Sequence, residues 1–495
     1  MAVASTFSEE PGIEEPGIGH RRALRDPQCV EPATADEVAG QQLAGQDCEG
    51  LSPSKAPMLE ALPEDFLRFL KSNGVLLDAF RVLLDTPRYV RVNPRGALAS
   101  SGTPAASAQA VSEALGGARV ERVAWLRRTE EEAVPETGVA GDDDGDPSPP
   151  WAKVYACDVS TNLSRTEAYR KGHLFGVDAA SIFAVLCLGV RPGDRVLDLC
   201  CAPGAKLCAI ADAACPGGEV VGVDIAEPRL AACRTMLNKY SVTNARLSLG
   251  DGTTWDPQAA TWFDLEPPPR GRGQRARKRK RDVAVAAAAA VAAESGEGAE
   301  VVEEEAERFR TFDRVLVDAE CTHDASLRHI EKFGSQWGWE TLGGRVPWVR
   351  QEEKLYELQV ALLRNGFRVL KDGGSLIYST CSLCRSQNED IIAKFLKSEP
   401  RASLEALPLP LRRQLAGEQQ HADAVVAGAA ESSVSPARPG LLEVDRPLGV
   451  GGRYCMARFD PRVSGTSGLF IARLRRDAPT STEPGDFAAG SGDGT

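Results

Sequence analysis

No stretch of this chain approaches the about 20 consecutive apolar residues that a membrane-crossing helix needs, so no span is expected. Paired C-x-x-C units are also missing. Cys381-Ser-Leu-Cys384 stands alone, which removes the usual zinc spacing and leaves no metal to expect. The opening residues, MAVASTFSEEPGIEEPG, carry no basic and apolar leader. Net positive charge is lacking as well. The formal charge is −12, the wrong sign for binding nucleic acid through a uniformly basic surface. That acid is concentrated, however. Glu130, Glu131, Glu132, Glu136, Asp142, Asp143, Asp144 and Asp146 crowd one stretch, and residues 294–307 crowd another. Both are poor in aromatic and β-branched residues and are expected to stay unfolded, so bulk charge says little about the folded surface.

What is present in quantity is cysteine, 13 in all. Cys200, Cys201, Cys208, Cys321 and Cys381 lie in or beside apolar runs, which fits reduced thiols in an intracellular compartment better than a disulfide framework.

Residues 1–56 are polar, contain Pro and Gly, lack periodicity, and read as a disordered tail. Folding signals begin in LPEDFLRFLKSNGVLLDAFRVLLDTPRYVRVNP (62–94), where helical spacing predicts one or two helices. A strand at Tyr89–Asn93, a helix at Ala105–Leu115 and strands at Val120–Leu126 and Trp151–Cys157 follow, interrupted by the acidic insertion 129–148. Together, 57–175 reads as a small α/β region. From 176 the pattern becomes strand–helix alternation up to 476. Strands are expected at 195–200, 219–224, 245–249, 312–318, 375–379 and 469–474, with helices at 179–188, 205–213, 227–240, 350–370 and 388–397. Short continuous apolar runs in this rhythm predict a doubly wound parallel sheet buried on both faces. Disordered insertions are expected at about 265–308 and 405–440, and a polar tail at 477–495.

Three strand ends carry chemistry. Asp198-Leu-Cys-Cys-Ala-Pro-Gly-Ala-Lys206 leaves a strand and enters a helix, and its small residues let a ligand approach the backbone. Amides at that helix N-terminus suit a carboxylate. Asp224 ends the next strand, where an acidic residue suits ribose hydroxyls. Gly250-Asp251-Gly252 ends the third, placed to accept from an adenine amino group. The full G-x-G-x-x-G turn is lacking, which weakens a nicotinamide reading. The other chemistry lies in thiols. A lone cysteine is most often a small buried hydrophobe. Here Cys321 (in RVLVDAECTH) and Cys381 (in GGSLIYSTCS) each close a strand, with Asp318 nearby. Carbon 5 of cytosine is a poor nucleophile until a thiolate adds at carbon 6, so methylation there needs an activated cysteine, a second base and an acid near ring nitrogen 3.

These segments resemble the Sun-family (NOL/NOP/Sun) RNA (cytosine-5) methyltransferases. The family's D-x-C-A-A-P-G-G-K-T turn is matched by Asp198 to Leu207, its D-A-P-C-S-G by Asp318-Ala-Glu-Cys-Thr-His323, and its T-C-S by Thr380-Cys381-Ser382, followed by Asn388-Glu389. The likeness spans about 58–96 and 150–476. It implies a Rossmann-like class I methyltransferase sheet using S-adenosyl-L-methionine, preceded by a smaller α/β, RRM-like RNA-binding domain. By position, Cys381 would be the nucleophile, Cys321 would help resolve the adduct, Asp318 would touch cofactor and base, and Lys206 would lie near the reacting centre. Cys201, Ala202, Pro203, Gly204, Ala205, Lys206, Leu207, Asp224, Arg229, Asp251 and Asp318 would line the cofactor pocket. This chain departs at Glu320, Thr322, His323, Ala205 and Leu207, the mark of a divergent member.

A buried thiol requires an unstacked base, so the expected substrate is single-stranded or loop RNA, tRNA or rRNA. Arg88, Arg91, Arg95, Arg165, Arg170 and Lys171 are candidate phosphate contacts. The run 275–281 could hold RNA, balance the Glu cluster or serve as a nuclear address; the last is the first expectation, placing the protein in nucleus or nucleolus, with the cytoplasm as the alternative. Trp337, Trp339 and Trp348 could stack on bases, although core packing is their ordinary role. No membrane and no obligate protein partner is expected. Two other readings remain at this stage: an RNA-binding assembly factor that keeps the fold without turnover, and a methyltransferase for DNA or a small molecule.

Overall fold

The computed structural model describes residues 62–75, 86–100, 107–126, 148–265, 311–407 and 455–479. The expected insertions and tails, including the run 275–281, fall almost wholly outside them. Among the described residues a nine-stranded sheet runs in the order β11-β13-β10-β9-β5-β6-β7-β8. Its members are β5 (Arg195–Asp198), β6 (Glu219–Asp224), β7 (Ala245–Leu249), β8 (Thr261–Phe263), β9 (Phe312–Asp318), β10 (Leu370–Thr380), β11 (Ala402–Leu404), β12 (Met456–Phe459) and β13 (Leu469–Arg476). The five strands from β10 to β7 are parallel, while β8, β11, β12 and β13 pair antiparallel at the edges, β12 against β13.

Alternation along each strand feeds two cores. Val196, Val220 and Leu316 face a layer holding helices Ala179–Leu188 and Ala205–Ala214. Leu197, Val221, Val223, Val315 and Val317 face the layer of helices Glu352–Arg368 and Glu389–Ser398. Period-two side chains buried on both sides are what a sandwiched parallel sheet demands. Chain order proceeds outward from β5 to β7, then returns to β9 and β10 on the other side. The topological switch therefore lies between β5 and β9, where open α/β sheets form a crevice at the strand carboxyl ends. Close approach is enforced at Gly222 on β6, where an added Cβ would sit 2.9 Å from Cys201 Sγ and 3.0 Å from Leu207 Cδ2. Gly222→Ala should cost about 1–3 kcal/mol from overpacking, read as a lowered midpoint in denaturant unfolding at unchanged slope.

A second, four-stranded antiparallel sheet has the order β2-β3-β1-β4: β1 (Arg88–Val92), β2 (Val120–Arg122), β3 (Val154–Cys157) and β4 (Leu174–Gly176). The strand expected at Val120–Leu126 stops at Arg122 and turns into a 3-10 segment at Ala124–Leu126, and Trp151 lies in another such turn before β3. This small sheet shares a core with the large one, Tyr89, Val154 and Phe175 joining Ile210 and Val196. A buried ion pair also ties the two: Arg91 Nη1 lies 2.7 Å from Asp212 Oδ2 on helix Ala205–Ala214, with both side chains fully buried. The same guanidinium stacks 3.9 Å over the Phe175 ring. The helix Glu64–Ser72 belongs elsewhere. Its Phe66, Phe69 and Leu70 pack on Ile330, Phe333 and Val349, beyond β9, rather than on the small sheet. Trp337, Trp339 and Trp348 pack against that same cluster. No helix among the described residues is long and apolar enough to cross a membrane.

Candidate active site

The carboxyl ends of β5, β9 and β10 are neighbours, and the loops leaving them meet around a cavity of about 210 Å³. After β5, the chain turns through Ala202, Pro203 and Gly204 into helix Ala205–Ala214. Gly204 has φ +107°, a conformation that a side chain resists, so glycine suits this turn. The turn delivers Lys206, whose Nζ lies 2.8 Å from Asp318 Oδ2 at the end of β9. Asp318 Oδ1 accepts from Ser379 Oγ at 2.7 Å. Burial pulls the Lys206 ammonium pKa down, but facing Asp318 outweighs that and raises it, so this cation is fixed.

Beyond Asp318 the two thiols come together: Cys321 Sγ and Cys381 Sγ are 3.4 Å apart. The turn carrying Cys381 is clamped from behind. Thr380 Oγ1 donates to Asn388 Oδ1 at 2.6 Å, Asn388 Nδ2 to the Ser382 carbonyl at 2.9 Å, and the Ala325 amide to the Cys381 carbonyl at 3.1 Å. Gln387 bridges to the other loop, accepting from the Thr322 amide at 3.1 Å and donating to Thr322 Oγ1 at 2.9 Å. Such supporting hydrogen bonds lock the positions of reactive side chains.

His323 projects between the thiols, its Nδ1 3.0 Å from Cys381 Sγ and 3.6 Å from Cys321 Sγ. Its Nε2 lies 3.5 Å from Glu320 Oε1. Glu320 also accepts from Trp348 Nε1 at 3.2 Å and faces Arg229 Nη1 at 3.5 Å. Burial opposes charge on Glu320, yet His323, Arg229 and Trp348 together hold its carboxyl down to about 2. Burial likewise works against the His323 cation, and the facing thiolate and Glu320 overcome it, raising its pKa well above the ordinary value. The two thiols share one negative charge. Burial pushes the Cys321 thiol up, but the hydrogen bond from Cys381 and the His323 cation bring it down to about 6. Hydrogen bonding to Cys321, then burial, raises Cys381. Cys321, His323 and Cys381 are grouped within 4.8 Å, but their sulfurs lie closer than the about 3.8 Å edge of a tetrahedral zinc–thiolate site. These are hydrogen-bond separations, and the cluster reads as an acid–base set.

The sequence expectations are distributed unevenly around this geometry. Ala202, Lys206, Arg229, Asp318 and Cys381 line the cavity together with Cys200. Cys201 and Leu207 do not: their side chains are buried against Gly222 beneath the turn, so only their backbone could meet a ligand. Asp224 pairs with Arg229, 3.3 Å away. Asp251 is exposed and caps its own turn, accepting from the Thr253 amide at 2.9 Å and Thr253 Oγ1 at 2.7 Å. Asp178, Ser181, Glu320, His323 and Ser467 line the cavity without having been singled out as site residues. Asp178 caps helix Ala179–Leu188, with Oδ1 accepting from the Ala180 amide at 2.9 Å and Oδ2 from the Ser467 amide at 3.0 Å. Its neighbourhood depends on β13, more than 280 residues along the chain, which local sequence cannot signal. Arg91 must be withdrawn as a phosphate contact, because it is fully buried against Asp212. Arg95 also pairs with Asp212. Arg88 Nε donates to the Val159 carbonyl at 2.9 Å, while Arg165 is exposed and Lys171 meets Glu167 at 2.6 Å on the surface.

A buried carboxyl group lies beneath the cofactor-type turn. Asp198 is 1 % exposed and neither of its oxygens has a hydrogen-bond partner of good geometry. Burial, then the charge of Asp318, push its carboxyl up to about 8. An unpartnered buried acceptor beside a helix N-terminus and the Arg229 cation offers complementary places for an ammonium and a carboxylate.

Comparison with known proteins places this geometry among relatives. A profile described as 16S rRNA methyltransferase RsmB/F matches residues 185–287 and 271–475. The 5-cytosine rRNA methyltransferase NSUN4 of Bos taurus is 31% identical over 237 residues, covering 47% of this chain and 48% of that protein. The mitochondrial tRNA (cytosine(34)-C(5))-methyltransferase of Mus musculus is 28% identical over 257 residues, covering 51% of this chain and 58% of that protein. Ribosomal RNA small subunit methyltransferase B of Sodalis glossinidius is 27% identical over 251 residues, covering 50% and 43% respectively. The chain spans about half the length of the curated relatives it matches.

Proposed function

Because the chain belongs to the RsmB/F family of rRNA methyltransferases, we propose that it methylates carbon 5 of cytosine in RNA through a covalent adduct with Cys381. The observation that carries this reading is the pair of thiols 3.4 Å apart, at the ends of adjacent strands and beside the Lys206–Asp318 pair. S-adenosyl-L-methionine, when bound, supplies an electrophilic methyl group. Asp198, Asp224, Asp251, Arg229 and the backbone from Cys201 to Leu207 would hold it.

The rest is work for this chain's residues. Cys381 as thiolate adds to carbon 6, forming a C–S bond and making carbon 5 electron-rich. Asp318, oriented by Lys206 and Ser379, meets ring nitrogen 3 and steadies the adduct. After methyl transfer, Cys321 takes the carbon 5 proton, the ring double bond re-forms, and the C–S bond breaks to return the Cys381 thiolate.

The substrate class is RNA, tRNA or rRNA, presenting an unstacked cytosine. Exposed Arg165, Arg170 and Lys171 remain the best placed of the original candidates on the small sheet and its helices for phosphate contact. That sheet is the proposed RNA-binding extension. A nuclear or nucleolar compartment rests on the run 275–281 alone.

The direct test is incubation with methyl-labelled S-adenosylmethionine and total cellular RNA, followed by nucleoside analysis. Label is expected in 5-methylcytidine. Absence of label from every RNA preparation, with cofactor binding confirmed, would overturn the catalytic reading in favour of an RNA-binding assembly factor.

A further inference from the structure

Attack by Cys381 requires that its thiol first lose a proton, and the sequence motifs name no group to receive it. We propose that Glu320, His323 and Cys381 form a proton relay, in which His323 Nδ1 takes the Cys381 thiol proton and Glu320 steadies the resulting imidazolium. As an act of catalysis this rests on the methyltransferase reading above. The relay as chemistry stands on the geometry alone.

Four observations converge on it. First, His323 Nδ1 lies 3.0 Å from Cys381 Sγ, closer than any other titratable atom recorded against that sulfur among the described residues. Such a short contact suits a charge-assisted N–H···S bond. Second, the opposite ring nitrogen faces Glu320 Oε1 at 3.5 Å, so nucleophile, base and orienting carboxylate fall in order, as activation of a weak nucleophile requires. Third, Glu320 is itself held by Trp348 Nε1 at 3.2 Å and by Arg229, which keeps it ionised and aimed. Fourth, His323 has φ +51°, a left-handed conformation uncommon outside glycine, and such residues cluster at functional sites.

The surroundings favour the imidazolium. His329 presents its ring edge-on at 4.9 Å, and burial, then the His323 charge, hold it down to about 3, so it stays neutral. Lys332 and Arg345 act on His329 from the far side, while Lys206 and Asp318 face Cys381 from the cofactor turn and β9. Cys321 shares His323 at 3.6 Å. The balance closes. The thiol proton moves to His323, the freed sulfur pair forms the C–S bond, and that pair returns to sulfur when the base is released, leaving thiolate beside imidazolium. Once Cys381 is bonded to carbon 6, Cys321 loses its own proton to water, takes the carbon 5 proton as thiolate, and is left a thiol.

The test uses neither RNA nor cofactor. The full chain is treated with iodoacetamide between pH 5 and 9, and alkylation is followed at each cysteine by site-resolved mass spectrometry. Here a C–S bond forms and iodide leaves. Because Cys321 holds the shared charge in the free protein and raises Cys381, the profiles are read in a Cys321→Ala background, where Cys381 is expected to react below pH 7, with a midpoint under the free-cysteine value of about 8.5. His323→Asn, chosen because Asn tolerates the left-handed conformation, should lower the rate at pH 6 by at least about tenfold and move the midpoint toward about 8.5. Glu320→Gln should move it part of the way. Circular dichroism of the variants checks folding, and His323→Gly, free of backbone cost, must show the same loss. Superimposable Cys381 profiles in the Cys321→Ala background with and without His323→Asn would overturn the relay. A shifted profile without RNA methylation leaves the relay standing and removes the methyltransferase reading; methylation with an unshifted profile does the reverse.

Discussion

Cys381→Ala should reduce methyl transfer to RNA by at least about 10⁴-fold, because in the proposed mechanism Cys381 forms the carbon 6 bond. Cofactor affinity should stay within about twofold, since the cofactor turn lies on β5 while Cys381 follows β10. Cys321→Ala should behave differently. Addition and methylation still occur, but carbon 5 keeps its proton, so a covalent RNA–protein species should accumulate. Denaturing electrophoresis with labelled RNA reads it directly. The 3.4 Å separation makes the roles testable as a pair, because the two thiols are in direct contact. The shared thiolate rests more on Cys321 in the absence of RNA, whose thiol is brought down to about 6 while Cys381 is raised. If Cys321→Ala abolishes transfer and Cys381→Ala traps the adduct, the assignments are exchanged. If both single variants retain turnover, neither thiol is the nucleophile.

Arg91→Ala should destabilise the fold by about 3–5 kcal/mol, leaving Asp212 buried with only Arg95 as partner. The stacking on Phe175 and the bond to the Trp151 carbonyl at 3.2 Å are lost as well. Urea unfolding of the full chain measures this. Arg91→Met combined with Asp212→Leu should recover most of the loss, because a packed apolar pair avoids the cost of an unpaired buried charge. Unchanged stability accompanied by weaker, salt-sensitive RNA binding would instead return Arg91 to the phosphate contacts. The large penalty has a functional side. Asp212 lies on helix Ala205–Ala214, which carries Lys206, so the small sheet is anchored to the helix that follows the proposed cofactor turn.

Much of the parallel sheet was legible because its strands are buried on both faces. Continuous apolar runs at 219–224, 245–249 and 312–318 coincide with β6, β7 and β9. Helix Ala179–Leu188 likewise begins at an aspartate cap and ends at Gly189 with φ +67°, signals that local chemistry supplies. Edge strands were less visible: β8 and β11 are three residues each and β12 is four, too short to establish a period. The small sheet misled at Val120–Leu126, where an apolar run bends into a 3-10 turn to bury Trp125 against Phe183 and Phe459.

The sequence by itself supplied the candidate reactive residues. Cys381, Cys321, Asp318 and Lys206 stand in motifs whose spacing relative to strand ends is local, and strand ends follow from hydrophobic periodicity. It also pointed to a doubly wound parallel sheet, because β–α alternation restricts connections to a few topologies. Only the tertiary structure decided which charges reach water. Arg91 and Arg165 look alike in sequence, yet one faces Asp212 in the core and the other faces solvent. It alone decided that Glu320, His323 and Trp348, 28 residues apart at their extremes, meet at Cys381, 58 residues beyond His323. The physical reason is range. Periodicity and capping act over a few residues, whereas burial, ion pairing and proton transfer depend on distances that long-range packing sets.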